Sequence, residues 1–145
     1  MNRSWMRAIL AGVVATLVMT AVGLWVAPLM GLPAMNPADM LAGQMGGNLA
    51  LGWIAHLMVG VTLALIYAVV APALPGAPWL RGALYALAPW LLAQLAVMPL
   101  MGMPVFSGSA AMALGSLAGH LVYGATVGAL YGDPAEVRTS QRALA

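Results

Sequence analysis

Polar positions are too sparse along most of this chain to give a helix a wet face. Four apolar runs stand out, roughly 8–27, 49–70, 82–98 and 111–131, and a helix needs about 20 mostly apolar residues to cross a bilayer. The third run is short and carries Pro89, which a spanning helix tolerates when its neighbours satisfy the freed carbonyl. The first follows Arg3 and Arg7, as a signal peptide would, but it is too long for an h-region and lacks a small-residue cleavage site. It reads as a retained helix.

Composition points the same way. Hydrophobic residues make up 63% of the chain and charged residues 6%, where a soluble domain carries roughly a quarter charged. Too little polar surface exists to cover a water-soluble globule, so lipid must cover it. The fold class is therefore an all-α integral membrane protein, a four-transmembrane-helix bundle forming one membrane domain over 1–145. The chain has no cysteine, which excludes disulfides, iron–sulfur clusters and thiolate zinc sites.

Charge sets the orientation. Arg3 and Arg7 precede the first run, Arg81 separates the second from the third, and Arg138 and Arg142 follow the fourth. All five fall on one side of a four-span chain, so the positive-inside rule puts both termini in the cytoplasm. The arginines flank spans and form no patch, which argues against a nucleic-acid partner. In the first opposite loop, NPADMLAGQMGG, Asn36 is an N-cap, Pro37 the first helical residue and Asp39 a first-turn acid, with Gly46 and Gly47 as the stop. That predicts a short interfacial helix. The second, MPVFSGSAAM, is shorter, with no room for an equivalent. The tail, 133–145, is expected to fray from Thr139 to Ala145.

The two halves echo each other. PLMGLP (Pro28–Pro33) ends the first span and PLMGMP (Pro99–Pro104) the third, while AHLMVGVTLALIYA (Ala55–Ala68) and GHLVYGATVGALYG (Gly119–Gly132) share His-Leu-x-x-Gly-x-Thr-x-x-x-x-Tyr. Each unit holds two spans, about 7–70 and 81–132, so the repeat is parallel: two like hairpins about an axis along the membrane normal. His56 and His120 then lie at one depth, about two turns inside the outer surface.

Residues four apart share a helix face. The faces read Gly52, His56, Gly60, Ala64 and Ser116, His120, Gly124, Gly128, with a third small stripe at Ala8, Gly12, Thr16 and Thr20. Such stripes let helices approach closely in lipid. The two histidines are the span residues that titrate near neutral pH, and ionisable groups at that depth are functional candidates.

Several chemistries fit the pair. Two imidazoles from facing helices suit a b-type haem, with Gly60 and Gly124 making room for the ring and Thr20 and Gln94 as supporting hydrogen-bond partners. Arginines for its propionates are absent from that side. Methionines gathered at the outer ends, Met101 and Met103 among them, would add thioethers for a copper site, although methionine is also a routine apolar filler. As interhelical hydrogen-bond partners the rings would be structural. The chain would then be an accessory subunit in a larger membrane complex or a homo-oligomer. Enzyme chemistry is poorly supported: Asp39 is separated from Asp133 and Glu136 by the membrane, and no nucleotide fingerprint appears.

WLLAQLAVMPLMGMPVF (Trp90–Phe106), GSLAGHLVYGATVGALYG (Gly115–Gly132), GWIAHLMVG (Gly52–Gly60) and AGVVATLVMT (Ala11–Thr20) together resemble a family of small bacterial four-span membrane proteins of uncharacterised function. The resemblance implies a bacterial inner-membrane location, carries both histidines, His56 and His120, and brings no activity, substrate or cofactor.

Overall fold

The computed structural model describes residues 4–133. The frayed tail expected from Thr139 lies outside them. Within them the chain forms α1 (Trp5–Leu29), a short α2 (Pro37–Gly43), α3 (Leu49–Ala73), α4 (Pro78–Leu100) and α5 (Ala110–Tyr131). The four longer helices, of 25, 25, 23 and 22 residues, are long and apolar enough to cross a membrane. Large apolar side chains cover their perimeter, with Trp5 and Trp79 exposed toward the end bearing the arginines and Trp25 toward the other. That distribution suits lipid and two interfacial belts.

Helices one and three of the four begin earlier than the apolar runs suggest, at Trp5 and Pro78. Ser4 caps the first, its hydroxyl accepting from Arg7 N–H, and Pro78 takes the first turn of α4, where a missing N–H costs nothing. Both helices also run on through the PLMGxP prolines, because each widens to a π-turn just before: Val22–Val26 and Ala93–Val97. A proline ring clashes with the carbonyl four residues back. The wide turn relieves that at Pro28 and Pro99, and each helix then ends at a glycine in the left-handed region, Gly31 or Gly102. The first π-turn has a second effect: the Gly23 carbonyl accepts from Met35 N–H at 3.1 Å, tying the following linker back onto α1.

The α2 helix starts as its sequence dictates. The Asn36 side chain accepts from Ala38 N–H and Asp39 lies in the first turn. It ends at Gly43, ahead of the expected Gly46–Gly47 stop. Its buried Ala38 and Ala42 seat on α3 at Gly52, where a β-carbon would collide with the Ala38 carbonyl.

Small residues decide which long helices meet. Gly12 of α1 packs on Gly60 and Ala64 of α3, and Gly82 of α4 packs on Gly124 and Gly128 of α5. Helix α1 also lies against α5, where the Arg7 side chain donates to Leu130 O at 2.9 Å. The order is α3, α1, α5, α4, and α3 and α4 meet mainly toward the arginine-bearing end. There all four tyrosines are buried. The hydroxyls of Tyr67, Tyr85 and Tyr123 donate to Pro78 O, Leu63 O and Gly60 O of neighbouring helices. Arg81 pairs with Asp133 at 3.1 Å just beyond.

Candidate functional site

Because α3 and α4 join at one end only, they part toward the other. The gap between them leads into a cavity of about 280 Å³. Tyr123 forms part of its floor, Pro37 and Met40 of α2 part of its roof, and His56 and His120 both line it. Val59 on α3 and Leu92 on α4 also line it while remaining 51% and 62% exposed. The cavity is therefore open sideways between these helices, toward where acyl chains would lie.

The two imidazoles share the cavity but not a setting. His56 is 6% exposed, and its Nε2 lies 2.9 Å from Thr20 Oγ1. The Thr20 hydroxyl proton is already directed at Thr16 O, 2.8 Å away. Thr20 can therefore only accept from the ring, so His56 carries its proton on Nε2 and keeps its lone pair on Nδ1. His120 reaches the carbonyl of Ser116 in its own helix with Nδ1 at 2.8 Å. A carbonyl only accepts, so this proton is on Nδ1 and the lone pair is on Nε2. No described acidic side chain lines the cavity to offset a positive ring, and an unpaired buried charge is costly, so both rings are neutral and each keeps one lone pair toward any third group.

Of the two expected supporting partners, Thr20 stands beside His56. Gln94 hydrogen-bonds to neither ring. It is 1% exposed, donates to Ser116 Oγ at 3.0 Å and accepts from Ser107 Oγ at 3.1 Å. Ser107 is brought there by a tight turn, Val105–Gly108, in which Phe106 and Ser107 adopt φ of +52° and +57°. Such backbone costs of order 1–3 kcal/mol. The Ser107–Gln94 bond and the Phe106 ring, 5.9 Å from Trp90, hold it in place. The composition of FSGS marks a turn, but nothing in it announces that Ser107 reaches across to α4.

The glycines divide. Gly60 lines the cavity while pressed onto Thr16. Gly124 is turned away, and a β-carbon there would collide with the Gly82 carbonyl. It brings α4 and α5 together and makes no room for a macrocycle. Met101 lines the cavity, whereas Met103 is not among the lining residues. With it stand Met19, Met35, Met40, Met98 and Met112, so half of the twelve methionines face one space. Sequence reading placed several of these at the outer ends without seeing that they converge.

Among the described residues, no three His, Cys, Asp or Glu come together as a metal group. No described Lys, Arg, Asp or Glu lines the cavity. Its polar groups are the two imidazoles, Gln94 and the hydroxyls of Thr16, Ser107, Ser116 and Tyr123.

No curated protein and no solved structure matches the chain. Residues 2–141 match the model of a family of unknown function, DUF6789, and the chain belongs to that family.

Proposed function

We propose that this protein is a membrane-embedded binding protein whose His56/His120 cavity takes a ligand dissolved in the lipid. The observation that carries the reading is the sideways opening between Val59 and Leu92 onto a cavity with two neutral imidazoles inside. Ligand sites are concave and mostly apolar, with a few polar groups converging on the occupant. Methionines suit such a wall because their side chains adapt to irregular shapes. In this reading the chain is two like hairpins in a bacterial inner membrane, termini cytoplasmic, with the cavity in the outer leaflet.

Gly119 offers the test. It lines the cavity, and a β-carbon there would meet only the end of Met19, at an ordinary 3.5 Å. A Gly119→Leu chain should fold and fill the space. Native mass spectrometry with a long-chain isoprenoid probe should find the probe retained by the parent chain and lost from Gly119→Leu. Equal retention by both chains would leave the cavity without a role and favour the histidines as hydrogen-bond partners that hold helices together.

A second reading, a Cu(I) site, is favoured by six thioethers sharing a wall with two imidazole lone pairs, a donor set that suits the soft ion. Cu(I) retained against a competing chelator, and released by Met101→Leu or His120→Phe, would support it. A haem between the rings has less in its favour, since His56 offers only Nδ1 and Gly124 packs against Gly82. Membership of a larger complex or a homo-oligomer rests on the same apolar perimeter that lipid would cover.

A further inference from the structure

We infer that the ligand's polar group is an uncharged hydroxyl, so that the cavity receives a lipid-soluble alcohol. The inference rests on the cavity being a ligand site, and it follows from where the protons lie. Nδ1 of His56 and Nε2 of His120 are left as lone pairs, because the opposite nitrogens donate to Thr20 and to the Ser116 carbonyl. Most of the neighbouring donors are spent. The Thr16 hydroxyl is directed at Gly12 O, that of Tyr123 at Gly60 O and that of Ser107 at Gln94.

A ligand that presents only acceptors, such as a ketone or an ether, leaves the two imidazole lone pairs unmatched. An ionised carboxylate or phosphate would meet no cation among the described residues, since Arg7 and Arg81 lie at the opposite end of the bundle and neither lines the cavity. An uncompensated charge in such surroundings is expensive. A hydroxyl carries no charge and brings a donor for one of the two lone pairs. It donates to an imidazole nitrogen, and its oxygen accepts from the Gln94 amide, which has a second N–H beyond the one given to Ser116. The chain of such an alcohol then extends past Val59 and Leu92 into the bilayer, along the methionine wall.

Farnesol and farnesyl methyl ether separate the idea from its alternatives, since they differ by the one proton that an imidazole would accept. Binding to the full chain in lipid nanodiscs is read by native mass spectrometry, and by the nitrogen chemical shifts of ¹⁵N-histidine-labelled protein. Farnesol should bind about tenfold or more tightly than the ether, because a site built to pair with a hydroxyl rejects the analogue that lacks its proton. One acceptor histidine nitrogen should also shift on farnesol addition, and His120→Phe should bring the two affinities together. Equal affinities in the parent chain would overturn the hydroxyl assignment while leaving an apolar binding cavity in place. Binding of neither probe would remove both readings together. The parent-chain comparison needs no variant, so a misfolded His120→Phe chain would not rescue the idea.

Discussion

Thr20 Oγ1 and His56 Nε2 lie 2.9 Å apart on two helices joined by nothing else polar at that depth among the bonds described. Thr20 in turn is bonded to Thr16 O, so the imidazole is held at the end of a short relay that fixes its tautomer. Bonds of this kind between helices in lipid contribute about 0.6–2 kcal/mol. Thr20→Val should therefore lower unfolding stability in detergent by roughly that amount, and Thr20→Ser, which keeps the acceptor, should restore most of it. Histidine nitrogen shifts should report a loosened tautomer preference in the valine variant alone. Unchanged stability and unchanged shifts in Thr20→Val would mean that the bond does not form.

The glycines on α5 should respond in opposite ways. Gly124 is pressed on the Gly82 carbonyl, so Gly124→Leu forces α4 from α5 and should cost about 1–3 kcal/mol or more, as overpacking does. Gly119, one turn earlier and facing the cavity, has room. Thermal unfolding of the two variants side by side measures the contrast. Comparable losses in both would contradict the packing assigned to α5.

Orientation is tested by reporter fusions. Fusions near Asp39 and Phe106 should report the outer side, and a fusion near Pro75 the cytoplasm. A cytoplasmic signal at Asp39 would turn the bundle over and move the cavity to the inner leaflet.

The parts of this structure that follow from local chemistry were legible in the sequence. Apolar length gave the four long helices, Asn36 and Pro37 gave the start of α2, and the small stripes marked faces that pack closely. What size and hydropathy do not encode is which helix a stripe meets. In a chain where lipid-facing and core-facing residues are both apolar, Gly124 could equally have faced a cofactor, His56 or α4; it faces Gly82. The π-turns before Pro28 and Pro99 were missed for a related reason. A proline following an apolar run usually signals a helix end, and only the three-dimensional path shows the helix widening to carry it. Depth alone offers both Thr20 and Gln94 to the histidines; Thr20 bonds to His56, while Gln94 bonds to Ser116 and Ser107. Its partner Ser107 lies on a strained loop turn whose position no periodicity describes.

The most direct test of the binding cavity is photolabelling in nanodiscs with a diazirine-bearing isoprenoid, the adducts mapped residue by residue by mass spectrometry. The expected result is labelling concentrated on cavity residues such as Leu63, Met98 and Met112, and lost in Gly119→Leu, with little on Trp25 and Leu29, which face outward. Adducts spread evenly over the outward-facing residues, and indifferent to Gly119→Leu, would contradict a ligand site between α3 and α4.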